Sequence, residues 1–229
     1  MSAVTAVTVQ DTHGVHDVHP IPASIVKAQI ETCLSDIGAD AIKIGMLACD
    51  AIANAIAEAL AEFSTIPLVL DPVLSSTSGT VLLGPEALHT LKTRLFPRAL
   101  LVTPNIPETE TLTGIRIETF DDMRIAADEF AGFGVAHVLF KGGHGSGVMV
   151  IDTLVDTGSG RIARFESPRI DTRHTHGTGC TLASAIACGL AQKLSLTDAV
   201  RRAHDFVQNA IRTAPGLGKG QGPLNHLNS

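Results

Sequence analysis

Four short apolar runs, at residues 41–44, 68–70, 100–102 and 137–140, stand between helix-length stretches, and that alternation restricts the chain to few architectures. Helical patterns are expected at 24–37 with Ser24 as cap, at 50–63 with Asp50 as cap, and at 85–95 opened by Pro85. A short helix carrying Glu108 and stopped by Gly114 follows, then one at 121–133. Residues 148–151 and 161–166 read as an antiparallel pair, and helices at 178–192 and 197–211 precede a Gly-rich tail at 216–226. A β-branched strand at 3–9 opens the chain, ending in a polar turn at 10–14, with a loop stiffened by Pro20 and Pro22 beyond it. The pattern predicts an α/β fold, a mostly parallel central sheet with helices on both faces, forming one domain over residues 1–229.

In open sheets of this kind, ligands sit outside the carboxyl ends of the strands. The residues expected there are Gln10, Met46, Asp71, Asn105, Glu108, Lys141 and the loop holding Cys180. The stretch I-D-T-R-H-T-H-G-T-G-C-T (170–181) reads as that loop, running into a helix. Gly177 and Gly179 allow backbone N–H groups to turn toward one point, and a helix start adds unpaired N–H groups and a positive dipole end. Cys180 falls in the first turn, where a thiol is biased toward thiolate. An anion cradle beside a base suits phosphoryl transfer; the alternative is an ordinary turn with a small packed cysteine.

Composition removes other classes. The net charge is −6 and no basic tract occurs, so nucleic acid is not expected as a partner. No apolar run reaches membrane-spanning length and no charged-then-apolar leader opens the sequence, so neither a membrane span nor a secretory signal is expected. The four cysteines have neither metal-ligand nor disulfide-framework spacing, which points to a reducing cytoplasm. Trp and Tyr are absent, so a flat ligand is expected to stack on Met, Phe, His or aliphatic groups.

Each candidate has two readings. Asp71 is a turn residue before Pro72, or a carboxylate near Mg²⁺. Asn105 and Glu108 cap a short helix, or position Mg²⁺ and phosphates. Lys141 is a solvated turn lysine, or an ammonium brought to phosphates by the close approach that Gly142 and Gly143 permit. Met46 is core, or a polarizable wall for a ring. Gln10 is an exposed turn residue, or a carboxamide that reads a ring nitrogen beside an exocyclic amine.

Taken together, the loop at 170–181, T-A-V-T-V-Q-D-T-H-G-V (5–15), K-I-G-M-L (43–47), L-D-P-V (70–73), T-P-N-I-P-E (103–108), K-G-G-H (141–144) and G-P-L-N-H-L (222–227) resemble the bifunctional hydroxymethylpyrimidine/phosphomethylpyrimidine kinases of thiamine biosynthesis, in the ribokinase-like superfamily. The motifs run from end to end in that family's order. The resemblance implies a three-layer ribokinase-like fold and Mg²⁺- and ATP-dependent phosphorylation of 4-amino-5-hydroxymethyl-2-methylpyrimidine, then of its monophosphate. It implies that Gln10 binds the pyrimidine edge, Met46 walls the ring, and Gly177, Thr178 and Gly179 form the anion hole. It further implies Cys180 as catalytic base, Lys141 and Asn105 toward the nucleotide, Asp71 and Glu108 toward Mg²⁺, and a homodimer. Pyridoxal kinase-like activity, or an inactive nucleotide-binding paralogue, are the alternatives.

One departure accompanies the resemblance. Family members open with a strand and a turn of the type G-x-D-x-x-G-G-A-G, and this chain starts after that unit. Roughly thirty to forty residues, the length of one strand–helix–strand unit, are expected to be missing, with an interior strand and substrate contacts among them.

Overall fold

The computed structural model describes residues 1–75, 79, 82–144 and 147–227. Its centre is a six-stranded sheet in the order β3 (Ile42–Ile44), β4 (Leu68–Leu70), β5 (Leu101–Val102), β6 (His137–Phe140), β7 (Met149–Asp156) and β8 (Ile162–Pro168). The first four strands are parallel, and β7 and β8 are antiparallel to their neighbours. Both faces are covered, as the unbroken apolar runs require. Leu68, Leu70, Val102, Val138 and Phe140 face one core, whereas Val69, Leu101 and Leu139 face the other.

The first core packs against α1 (Ala23–Asp36), α2 (Asp50–Leu60), α3 (Pro85–Thr90) and α5 (Phe120–Gly132). Phe96, Phe130 and Phe140 are fully buried there, with Phe130 at 5.7 Å from Phe96 and 6.2 Å from Phe140 between ring centroids. The second core lies under α6 (Thr178–Ala191) and α7 (Leu196–Arg212). The small residues of α6 let α7 pack close, with the Gly189 α-carbon against Ala199. The expected strands at 68–70 and 137–140 are reproduced, and the six core-covering helices lie within a few residues of expectation or, for α3, continue into a wider turn at Leu91–Leu95. No helix among the described residues is long and apolar enough to cross a membrane.

Five expectations are corrected. Gln10 is not in a turn at the edge of the parallel sheet: it lies in β1 (Ala6–Asp11), which pairs with β2 (Gly14–Pro20) as a separate antiparallel hairpin. β2 stands where a loop is expected: most of its side chains are exposed, so no apolar alternation marks it; main-chain pairing holds it, and the Asp11 carboxylate accepts the N–H groups of His13 and Gly14 at the turn. Ser24 does not cap α1, since Pro22 stands at the cap with no side-chain bond. Asp50 is the first residue of α2 and accepts from Thr90 Oγ1 and Asn54 instead of capping. The antiparallel pair also runs longer than expected, to Asp156 and Pro168. β3 forms one edge of the sheet, and a cleft of ≈ 420 Å³ runs beside it.

Candidate active site

Three parallel strands end side by side, and each delivers a charged or polar group beyond its last residue. β4 leads to Asp71, β5 to Thr103 and Asn105, and β6 to Lys141. The ladder continues past the strands: Asp71 N–H donates to the Ile44 carbonyl, Thr103 N–H to Leu70, and Lys141 N–H to Pro104, each at 2.9 Å. These three backbones are therefore held in register by main-chain bonds.

At this edge the Lys141 ammonium is 2.7 Å from Asp71 Oδ1 and 3.7 Å from Glu108 Oε2. Thr103 Oγ1 donates to the same Asp71 oxygen at 3.0 Å. Asp71 is 2% exposed and Glu108 6%, so both carboxylates are cut off from water, while Lys141 stays partly accessible. Burial works to raise the Asp71 pKa, but Lys141, then Lys43 and Thr103, hold the carboxyl below its ordinary value. For Glu108 burial wins, and its carboxyl lies above the ordinary value despite Lys141. Burial also opposes the Lys141 charge, yet Asp71 and Glu108 keep its pKa above the usual lysine value. Lys141 is thus no solvated turn residue, and Asp71 no simple turn former.

Asn105 and Glu108 form a complete capping box at the start of α4 (Ile106–Thr113). The Asn105 side chain accepts the Glu108 N–H and Glu108 Oε2 accepts the Asn105 N–H, both at 2.8 Å. The cap and the cluster share Glu108: helix-capping chemistry is what aims its carboxylate at Lys141.

The expected anion loop closes over this cluster. Gly177 caps α6 with φ 85°, a left-handed conformation that a side chain would strain. Thr181 donates back to the Gly177 carbonyl through N–H at 2.9 Å and through Oγ1 at 2.8 Å. Thr178 turns both its N–H and its hydroxyl on the Thr175 carbonyl. Helix geometry gives the Gly179 and Cys180 N–H groups no carbonyl inside α6, so they remain the donors of the first turn. A Cβ added at Gly179 would lie 3.0 Å from Lys141 Nζ and 3.6 Å from Asp71 Oδ2. Glycine at that position lets the helix start sit directly on the ion pair.

Cys180 is exposed as a residue, while its sulfur sits among protein atoms. The expected thiolate bias is overturned. Burial pushes the thiol above its ordinary value, and Asp71 adds to this by its charge and as a hydrogen-bond acceptor; Lys43 and Lys141 pull the other way without prevailing.

The hairpin reaches the same loop. Gln10 Nε2 is 3.1 Å from His176 Nε2. Beyond it, Thr12 is gripped by the tail, with Gln221 N–H donating to its carbonyl at 2.7 Å and Gly220 N–H to its Oγ1 at 3.1 Å. Met46 lies beyond β3, half-buried, with its carbonyl accepting from Thr5 Oγ1 at 2.8 Å. It lines the cleft beside β3 together with Lys43 and Gly45, and neither Gln10 nor Cys180 lines that cleft. The structure therefore brings Asp71, Glu108, Asn105, Lys141, Gly177, Thr178, Gly179 and Cys180 to one place, with Gln10 touching its rim and Met46 at one side.

Lys43 and His176 were not singled out from sequence. Lys43 sits in the centre of β3, and its ammonium lies against Gly45, where a side chain would collide with it. A lysine between two isoleucines of a buried strand is the signal that could have found it.

The profile of the phosphomethylpyrimidine kinase family matches residues 1–225. The hydroxymethylpyrimidine/phosphomethylpyrimidine kinase of Bacillus subtilis (strain 168) is 41% identical over 227 residues, covering 99% of this chain and 83% of that protein. Thiamine biosynthesis bifunctional protein ThiED of Geobacter sulfurreducens is 45% identical over 226 residues, covering 99% of this chain; the match spans 46% of that protein, under half its length. Among solved structures, the ADP complex of Bacillus subtilis pyridoxal kinase superposes with a TM-score of 0.88 at 32% identity, over 99% of this chain and 85% of that one.

Proposed function

This chain belongs to the phosphomethylpyrimidine kinase family, and from that premise we propose that it phosphorylates 4-amino-5-hydroxymethyl-2-methylpyrimidine with ATP, and then phosphorylates the resulting monophosphate. The observation that carries this reading is the contact of Gly179 with the Lys141–Asp71 pair, which stacks helix-start amides on a buried cation and two carboxylates. Such a point can hold a migrating phosphoryl group, because amides and ammonium both meet negative charge.

In the first step the hydroxymethyl oxygen forms a bond to the γ-phosphorus while the bond from that phosphorus to the bridging oxygen breaks, and ADP leaves with the electron pair. The hydroxyl proton passes to the Cys180 sulfur in its thiolate form, which the raised pKa makes the minority form. The Gly177–Thr178–Gly179 turn carries the transferring group, and Lys141, with Asn105 beside it, faces the nucleotide phosphates. Gln10 reads the ring edge through its carboxamide, which His176 already orients. Met46 supplies one wall for the ring.

Mg²⁺ belongs to the same proposal. Asp71 and Glu108 both lean on the Lys141 ammonium, so they would hold the cation with the oxygens Lys141 leaves and through water, which suits an ion that completes its shell with phosphates and water. Bound there, it would draw charge from the phosphate oxygens.

Incubating the folded chain with ATP, Mg²⁺ and the pyrimidine, and following the products by ³¹P NMR, tests the reading. A phosphomonoester followed by a diphosphate is expected; no turnover by a folded preparation ends it. The likeness to a pyridoxal kinase favours pyridoxal as the second reading. Relative kcat/KM for the two rings decides between them, because pocket shape sets that ratio.

A further inference from the structure

α7 buries one histidine on a face otherwise made of small and branched apolar residues. His204 is 5% exposed, on the same buried side as Val200, Ala203 and Val207. Its Nδ1 is 3.0 Å from Asp152 Oδ2, and Asp152, in the middle of β7, is itself 6% exposed. The other carboxylate oxygen accepts the Gly142 N–H at 2.9 Å. A carboxylate only accepts, so Nδ1 carries the hydrogen in this contact. Gly142 directly follows Lys141, and it is pressed so tightly on β7 that a side chain there would overlap the Ile151 carbonyl.

Packing alone does not ask for this pair. Burying an imidazole and a carboxylate is costly, and an apolar pair would fill the space beside Phe165 at lower cost. His204 Nε2 is buried without a hydrogen-bond partner among the described residues. The ring's described hydrogen bonding is thus directed wholly at Asp152, and Asp152 passes it to one backbone amide.

We propose that His204 and Asp152 are positioning residues for the loop that follows β6. His204 fixes the rotamer of Asp152. Asp152 fixes the Gly142 amide. That amide sets the path on which the chain leaves Lys141 toward the nucleotide. The inference rests on the reading of Lys141 and its glycines as nucleotide-facing. It follows that the pair governs ATP affinity and leaves pyrimidine affinity alone.

Two substitutions of His204 test it. His204→Leu keeps α7 apolar and removes the donor. His204→Asn places an amide nitrogen where Nδ1 stands. The readouts are amide hydrogen exchange at Gly142 by NMR and the separate KM values for ATP and pyrimidine. His204→Leu is expected to speed Gly142 exchange by about tenfold and to raise the ATP KM by about fivefold, with the pyrimidine KM within about twofold. His204→Asn is expected to restore both quantities to within about threefold of the parent. If His204→Leu fails to fold, Asp152→Asn, which leaves one accepting oxygen for two donors, gives the same exchange measurement. Unchanged Gly142 exchange overturns the anchor. Faster exchange with an unchanged ATP KM keeps the anchor and overturns the nucleotide-facing reading of the loop. Equal rises in both KM values overturn the positioning role.

Discussion

The Lys141 ammonium and the Asp71 carboxylate stand 2.7 Å apart, with Asp71 2% exposed, so each is the other's main protection against the cost of burial. This is a pair that cannot be halved cheaply.

Lys141→Met leaves Asp71 buried without its cation, and a loss of about 3–5 kcal/mol in unfolding free energy is expected from denaturant titration. The pH dependence has a definite sign. Asp71 is held below its ordinary value in the folded chain, so it contributes stability above its unfolded pKa, and that contribution fades as pH falls through the folded value. In Lys141→Met only Lys43 and Thr103 are left to oppose burial, the carboxyl rises, and the acid-side loss of stability shrinks. An unaltered acid limb in the variant would show the pair to be energetically idle.

Gly179→Ala puts a methyl group 3.0 Å from Lys141 Nζ without disturbing the helical backbone. The ammonium must shift by a fraction of an ångström. Transfer is expected to fall between about tenfold and a hundredfold, with the melting temperature little changed. Unimpaired turnover would mean that the phosphoryl group travels elsewhere.

Cys180→Ala is expected to lower the first phosphorylation by about a hundredfold or more, the usual worth of a positioned base, and to spare ATP affinity in calorimetry. The second step differs chemically. A phosphomonoester near neutral pH is largely dianionic and its attacking oxygen carries no proton to remove, so that step is expected to fall by less than about tenfold. Supplying each acceptor separately and integrating the ³¹P signals measures both. Equal losses in the two steps would assign Cys180 to binding and not to proton transfer.

The thiol should report its surroundings directly. Because burial and Asp71 hold its pKa above the ordinary range, alkylation of Cys180 by iodoacetamide is expected to accelerate only as pH rises past that range. Lys43 is the first of the groups that favour the thiolate, so Lys43→Met moves the midpoint further up. A midpoint that stays put after this substitution removes Lys43 from the site's electrostatics.

The layered sheet was legible because its signals are local. β4 is an unbroken apolar run and β6 is one after its first residue, and α4 declares itself by Asn105, Pro107, Glu108 and Gly114 together. The clustering at the strand tips was legible for the same reason: Asp71 and Lys141 each follow a strand at once, and Asn105 comes shortly after β5. β2 was not, because it has no buried face and exists through its pairing with β1. The Cys180 environment was misread because helix position is local, whereas burial and the Asp71 charge come from residues a hundred positions away. Asp152 and His204 were overlooked too; an acid inside V-I-D-T-L-V and a histidine on the apolar side of an amphipathic helix were the available signs.

Thr12 is clasped by Gly220 across a separation of 208 residues, and by Gln221 next to it. During translation, the hairpin that carries Gln10 must wait for Gly220 and Gln221 to emerge from the ribosome before its tip can be fastened. A nascent chain can bury both cores and still present an unlatched hairpin until Gly220 and Gln221 have been made.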